Sequence, residues 1–205
     1  EITSDIDSED EEKLIEKITK HISDTKCDVI LFEDYNKGTL TEKIIEKIIA
    51  VAQSKGIVTC VDPKKNNFFA YKNVTLFKPN LKELREGLKT EIDKNNDQQI
   101  IDAATELEKR TGNKISLITL SERGVFYKQG TKSGIIPAHV RDIADVSGAG
   151  DTVIAVAALC LASKTSVEFM AALSNLAGGL VCEHVGVVPV DKEQLYNESK
   201  KEMLK

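Results

Sequence analysis

Short β-rich apolar runs alternate along this chain with longer segments whose apolar residues recur at helical spacing. That alternation narrows the possible folds more than any other feature. Leu14, Ile15, Ile18 and Ile22 share one helical face, and Asp28-Val29-Ile30-Leu31-Phe32 follows as a strand. Ile44, Ile45, Ile48, Ile49 and Ala52 mark a second helix, and Ile57-Val58-Thr59-Cys60-Val61 a second strand. The pattern predicts helices over 9–24, 41–55, 97–111, 149–162, about 165–183 and 191 to the end. Strands are expected over 28–32, 57–61, 74–77 and 115–120, with a hairpin over 124–137. Ser8 and Glu11 stand at capping-box spacing, and Gly56 and Gly112 fall where helices should stop. Strands and helices in this order imply an α/β fold with a mostly parallel sheet covered on both faces by right-handed crossovers. No internal repeat or low-complexity linker interrupts residues 1–205, so one domain is expected.

Composition removes several classes of function. The net charge of −5, with no stripe of Lys and Arg, argues against nucleic acid as the main ligand. The longest uninterrupted apolar run, Val153 to Ala162, is ten residues, about half of the ~20 needed to cross a bilayer. No membrane segment is expected. The opening Glu1-Ile2-Thr3-Ser4-Asp5 lacks the basic flank and apolar stretch of a signal peptide, which points to a cytoplasmic location. Cys27, Cys60, Cys160 and Cys182 are scattered, form no CxxC pair and lie away from His21, His139 and His184. Four buried thiols in a reducing compartment are the expectation, and any metal should be held by oxygen ligands.

The stretch richest in chemistry is Asp145-Val146-Ser147-Gly148-Ala149-Gly150-Asp151-Thr152. Gly148 and Gly150 let backbone N–H groups approach an anion, and the helix that follows adds its positive N-terminal end. Asp151, in the first turn, is placed to take a proton from an attacking hydroxyl. The same residues also suit a glycine-rich turn in which Asp151 only stabilises a helix end. The residues alone leave these two readings open.

This stretch resembles the C-terminal signature of the ribokinase-like (PfkB) carbohydrate kinases, and other segments follow in that family's order. Lys78-Pro79-Asn80-Leu81-Lys82-Glu83 is similar to its Pro-Asn-x-x-Glu element. Thr119-Leu120-Ser121-Glu122-Arg123-Gly124 is similar to its Thr-x-Gly-x-x-Gly nucleotide loop, with Ser121 in place of the middle glycine. Asn175 matches an Asn near the nucleotide base. Asp34-Tyr35-Asn36-Lys37-Gly38, Val61-Asp62-Pro63-Lys64 and the Ser121-Glu122 pair resemble the heptose-7-phosphate kinase branch, the kinase half of bifunctional ADP-heptose synthases.

The resemblance implies a three-layer ribokinase-like fold, ATP and magnesium as cofactors, and a phosphorylated sugar as the second substrate. Asp151 would be the base, with Gly148, Ala149 and Gly150 forming the anion hole. Asn80, Thr119, Ser121, Gly124 and Asn175 would hold the nucleotide, and Glu83 with Asn80 would organise magnesium. Asp34 and Lys37 would meet the sugar phosphate. Lys64 and Lys65 are expected as surface charge and His139 as a loop residue. Val187 after Gly186 departs from the branch's Thr, which leaves a monovalent cation open, and a homo-oligomer is open too. Relatives begin with sugar-binding and lid strands that do not precede Glu1 in this sequence. A ribose- or fructose-type kinase and a silent nucleotide-binding fragment are therefore the rival expectations.

Overall fold

The computed structural model describes residues 4–139 and 141–203. In chain order these form helix α1 (Ser8–Asp24), strand β1 (Val29–Glu33), α2 (Glu42–Ser54), β2 (Val58–Asp62), β3 (Leu76–Phe77), α3 (Leu81–Leu88) and α4 (Asp97–Thr111). Then come β4 (Ile115–Thr119), a single 3-10 turn (Ser121–Arg123), β5 (Val125–Gln129), β6 (Lys132–Ile136), α5 (Ala149–Ala162), α6 (Val167–Val181) and α7 (Lys192–Met203). The first three residues of the acidic lead-in and the last two of the expected C-terminal helix lie outside the described residues.

The six strands pair in sequence order, with β1 to β4 parallel and β5 and β6 antiparallel. Alternation along each strand sends neighbours to opposite faces. Ile30, Phe32, Val61, Phe77 and Ile118 enter one core with α1 to α4. Val29, Leu31, Cys60, Leu76 and Leu117 enter the other with α5 and α6. The sheet is thus the middle of three layers, as the strand–helix alternation predicts. Each fully buried isoleucine of α2, such as Ile44 or Ile48, contributes roughly 1.5–3 kcal/mol by leaving water. Helix α5 is apolar almost all round because it lies between the sheet and α6, and only Leu159 among its large residues is mostly exposed.

Local signals set most boundaries. Thr41 caps α2 by accepting from Ile44 N at 3.3 Å, and Gly112 ends α4 in the left-handed region at φ 73°. The cap of α1 is Asp7, whose carboxylate accepts from Asp10 N at 2.8 Å, and not Ser8 as its spacing to Glu11 suggests. An ionised carboxylate at the positive helix end is at least as good a cap as a hydroxyl, so the helix starts one residue earlier. The expected strand over 74–77 shrinks to Leu76–Phe77, since β3 needs to bridge only two short stretches, Cys60–Val61 and Ile115–Ser116.

Candidate active site

The parallel strands end along one edge, and the polar residues that follow them meet there. Glu33 and Asp62 end β1 and β2 in register, Lys78 follows β3, and Asn80 bridges to Thr119 at the end of β4. Helix α5 starts above this edge. Gly148, at φ 77°, supplies the left-handed residue before it, a conformation that costs a side-chain-bearing residue about 1–2 kcal/mol. No side chain caps α5. The Ala149 N–H turns toward Val146 O at 3.3 Å and Thr152 N bonds Gly148 O at 2.9 Å, while Gly150 and Asp151 N–H have no backbone acceptor among the described residues. Gly150 and Asp151 thus each present an N–H at the helix start, and Ala149 makes only a long turn bond.

Asp145 fixes the approach to this helix. Its Oδ1 accepts from Ser147 N at 3.0 Å and Ser147 Oγ at 2.8 Å, and its Oδ2 accepts from Gly186 N at 3.0 Å. Those backbone bonds hold its carboxyl below the usual range. They also tie the loop before α5 to the loop after α6, where Val187 sits so close that a methyl group on Gly148 would lie 3.0 Å from Val187 Cγ1.

On one side of the α5 N-terminus is a cavity of about 420 Å³, within the range of small-molecule sites. Thr119, Ser121, Gly124, Ala149, Gly150 and Asn175 all line it, with Val153 and Gly178 among the apolar wall. These residues come from three separate segments, 119–124, 149–153 and 175–178, whereas Asn80, expected with them, is not part of the cavity lining. Gly124, at φ 90°, passes so close to the end of β6 that a Cβ would meet Ile136 O at 2.0 Å. Asn175 is buried and donates to Pro137 O at 2.9 Å, so it fixes the cavity wall through the loop after β6. Arg141 and His139 line the cavity too: Arg141 pairs with Glu183, just after α6, at 2.6 Å and with Glu198 of α7, and His139 pairs with Glu202 at 3.0 Å.

Beneath the helix lies an ionic network. Lys78 Nζ is 3.1 Å from Asp62 Oδ2, with both side chains almost fully buried. Lys64 Nζ reaches Asp62 Oδ1 at 3.2 Å and Glu83 Oε1 at 2.8 Å. Lys64, expected as surface charge, is instead half-buried inside the site, because two carboxylates draw it in. Asn80 and Glu83 form a complete capping box on α3: Asn80 N donates to Glu83 Oε2 and Glu83 N to Asn80 Oδ1, each at 2.8 Å. Among the described residues no group of three or more His, Cys, Asp or Glu side chains converges on a metal position. Oxygen donors of this kind would suit a hard cation such as magnesium, with Glu83 and Asn80 the residues that would hold it.

On the other side of α5 stands the loop after β1. The Tyr35 hydroxyl lies 3.1 Å from Asp151 Oδ2 and 3.4 Å from Glu33 Oε2. Burial, then the Asp151 charge, raises the Glu33 carboxyl above its usual range, and the same two causes push the Tyr35 phenol up to about 12. Asp34 is buried and its carboxylate accepts from Asn36 N at 2.8 Å, Asn67 Nδ2 at 3.1 Å and Tyr71 Oη at 2.8 Å. That carboxylate is committed to shaping the loop, whereas Lys37 is exposed on it. Sequence reasoning gave Tyr35, Glu33, Asp62, Lys78 and Asp145 no role of their own. The sequence signals were that each stands at or just beyond a strand end or beside the glycine-rich turn, and that all but Glu33 fall within the segments that resemble the family.

A parallel sheet with a ligand cavity at its carboxyl edge and an uncapped helix N-terminus above it defines an α/β protein built to receive an anion. Residues 11–193 match the family described as "pfkB family carbohydrate kinase", and the chain belongs to that family. It is similar to the bifunctional protein HldE of Koribacter versatilis, 36% identical over 186 residues, which are 91% of this chain and 37% of that protein. It is similar also to HldE of Aliarcobacter butzleri, 34% identical over 196 residues, 96% of this chain and 40% of that one. The chain spans about two fifths of the length of these relatives. Among solved structures, phosphofructokinase-2 from Escherichia coli in complex with potassium superposes with a TM-score of 0.80 at 19% identity, over 91% of this chain and 61% of that one. Arabidopsis thaliana ribokinase complexed with ribose and ATP gives 0.72 at 18% identity, over 95% and 59%. The fold is the three-layer ribokinase-like one, and the described chain corresponds to part of it.

Proposed function

We propose that this chain carries the phosphoryl-transfer site of an ATP-dependent sugar kinase whose acceptor is a heptose 7-phosphate. The observation that carries the reading is the position of Asp151. It stands at the uncapped start of α5, with the nucleotide-sized cavity on one side and the Tyr35 loop on the other. A base in that place can reach a hydroxyl presented from the loop side while the N–H groups of Gly150 and Asp151 face the phosphates.

In this reading the Asp151 carboxylate takes the proton of the acceptor hydroxyl as its oxygen attacks the γ-phosphorus. The bond to the β–γ bridging oxygen breaks, ADP leaves with that oxygen, and the proton stays on Asp151 until solvent removes it. Free N–H groups at the helix start and the buried Lys78 ammonium oppose the charge on the phosphoryl oxygens. Magnesium on the nucleotide would neutralise phosphate charge, and Glu83 and Asn80 are the residues placed to hold its hydration shell. Asp34, with its oxygens occupied, shapes the sugar-side loop, and Lys37 on that loop is the cation that would meet a sugar phosphate in this reading.

The heptose assignment rests on the likeness to the HldE proteins, and the structural likeness to phosphofructokinase-2 and ribokinase keeps a fructose- or ribose-type acceptor as the second reading. The test is Asp151→Asn in the full-length gene product, assayed for ADP release with heptose 7-phosphate, fructose 6-phosphate and ribose in turn. Turnover should fall by about 10²–10⁴-fold, as for loss of a general base, with ATP affinity little changed. Wild-type turnover in the variant would remove Asp151 from the mechanism. A preference for fructose 6-phosphate or ribose would replace the heptose assignment, and no turnover despite ATP binding would favour a silent nucleotide-binding role.

A further inference from the structure

The Tyr35 hydroxyl stands between two carboxylates from distant parts of the chain: Glu33 at the end of β1 and Asp151 at the start of α5. We infer that Tyr35 is a positioning residue for the base, holding Asp151 through Oδ2 and leaving the other oxygen to face the acceptor hydroxyl. The inference rests on Asp151 being the base.

Three observations support it. A phenol has one proton to donate, and the shorter contact, 3.1 Å against 3.4 Å, assigns it to Asp151. The 3.4 Å contact to Glu33 is the weaker claim on that proton. The loop that carries Tyr35 is fixed on both sides of it. Asp34 is buried under three hydrogen bonds, and Asn36 holds a left-handed φ of 53° with its N–H on Asp34. Gly38, at φ 80°, accepts from Ile6 N at 3.0 Å and passes so close to Ser4 that no side chain would fit. Finally, Tyr35 as a residue is 56% exposed, and only its hydroxyl end, between the two carboxylates, loses water. Little of its apolar surface is buried to hold it in place, and its polar end makes the contacts that fix its position.

The alternative is that Tyr35 simply contacts the acceptor, and the two roles separate in kinetics. With the full-length gene product and heptose 7-phosphate or fructose 6-phosphate as acceptor, Tyr35→Phe should lower kcat about tenfold, the scale of one hydrogen bond to a charged group. KM for acceptor and for ATP should stay as in the wild type. In an Asp151→Asn background the same change should cost nothing more, because the group it positions is gone. A raised acceptor KM with unchanged kcat, or an equal cost in both backgrounds, would overturn the inference. So would wild-type kinetics of Tyr35→Phe beside a crippled Asp151→Asn, and that outcome would leave the base assignment standing. An active Asp151→Asn would remove both. Independently of turnover, the carboxyl ¹³C resonance of Asp151, assigned by its loss in Asp151→Asn, should move in Tyr35→Phe of the 205-residue chain; an unmoved resonance would overturn the contact itself.

Discussion

Lys78 and Asp62 form a buried ion pair, Nζ to Oδ2 3.1 Å, and a methyl group built on Gly150 would lie 3.6 Å from the same nitrogen. The ammonium is thus held at the floor of the helix start, where the phosphates of a nucleotide would come. A buried pair of this kind gives modest net stability when intact but is costly to break, because the remaining charge has no partner.

Breaking the pair should therefore show in two measurements. Asp62→Asn strands Lys78 and should lower unfolding stability in urea by about 3 kcal/mol, whereas Asp62→Leu with Lys78→Met should cost much less. Lys78→Met alone should weaken ATP about tenfold or more, the worth of a lost charge-assisted contact, and leave adenosine unaffected. Equal losses for ATP and adenosine would mean that the lysine supports the fold and does not face phosphate.

Glu83 has two jobs that one substitution can separate. Its Oε2 closes the capping box with Asn80, and its Oε1 holds Lys64. Glutamine also completes a capping box, so Glu83→Gln should keep α3 and change stability by less than about 1 kcal/mol. The magnesium concentration for half-maximal turnover should nevertheless rise several-fold, since a negative charge beside the cation's path is gone. Glu83→Ala removes the cap as well and should cost about 1 kcal/mol more. An unchanged magnesium requirement in Glu83→Gln would leave the residue as a helix cap only.

Much of the architecture can be read from the sequence because its signals are local. Asp97–Thr111 has a polar cap before it, an apolar face and Gly112 after it, and the helix occupies those residues. Val74 and Thr75 look as β-prone as Leu76 and Phe77 and still bond Lys114, Thr59 and Ile115 through the backbone, yet the strand register covers only the latter two, since strand length is decided by neighbours from elsewhere in the chain. The site divides in the same way. The Gly148–Asp151 turn carries its chemistry in consecutive residues and is visible as such. Asn80 and Glu83 fit a capping box and a metal-organising pair equally well by spacing, and the hydrogen bonds show that the box is made. Lys78 with Asp62, and Tyr35 with Asp151, are partnerships through space between segments that only the sheet brings together. No spacing rule marks a lysine as buried or a tyrosine as facing a carboxylate 116 residues away.

The last prediction concerns pH. Burial, then the charges of Asp151 and Asp62, raises the Glu33 carboxyl above its unfolded value of 4.5, while the Tyr35 bond and Lys78 partly offset them. A carboxyl whose pKa is higher in the folded state gives stability that is fully present below the unfolded value and is lost as pH rises through the folded one. Wild-type stability should therefore fall, relative to Glu33→Gln, as pH climbs from about 4 upward, and the two proteins should differ most at neutral pH. Urea unfolding of both at a series of pH values measures the difference directly. Glu33→Gln should be the more stable protein at pH 7, with the gap closing toward pH 4. Curves that run parallel across that range would mean that Glu33 titrates alike in the folded and unfolded chain. The crowding of acids around the start of α5 would then be relieved by solvent and not by a proton on Glu33.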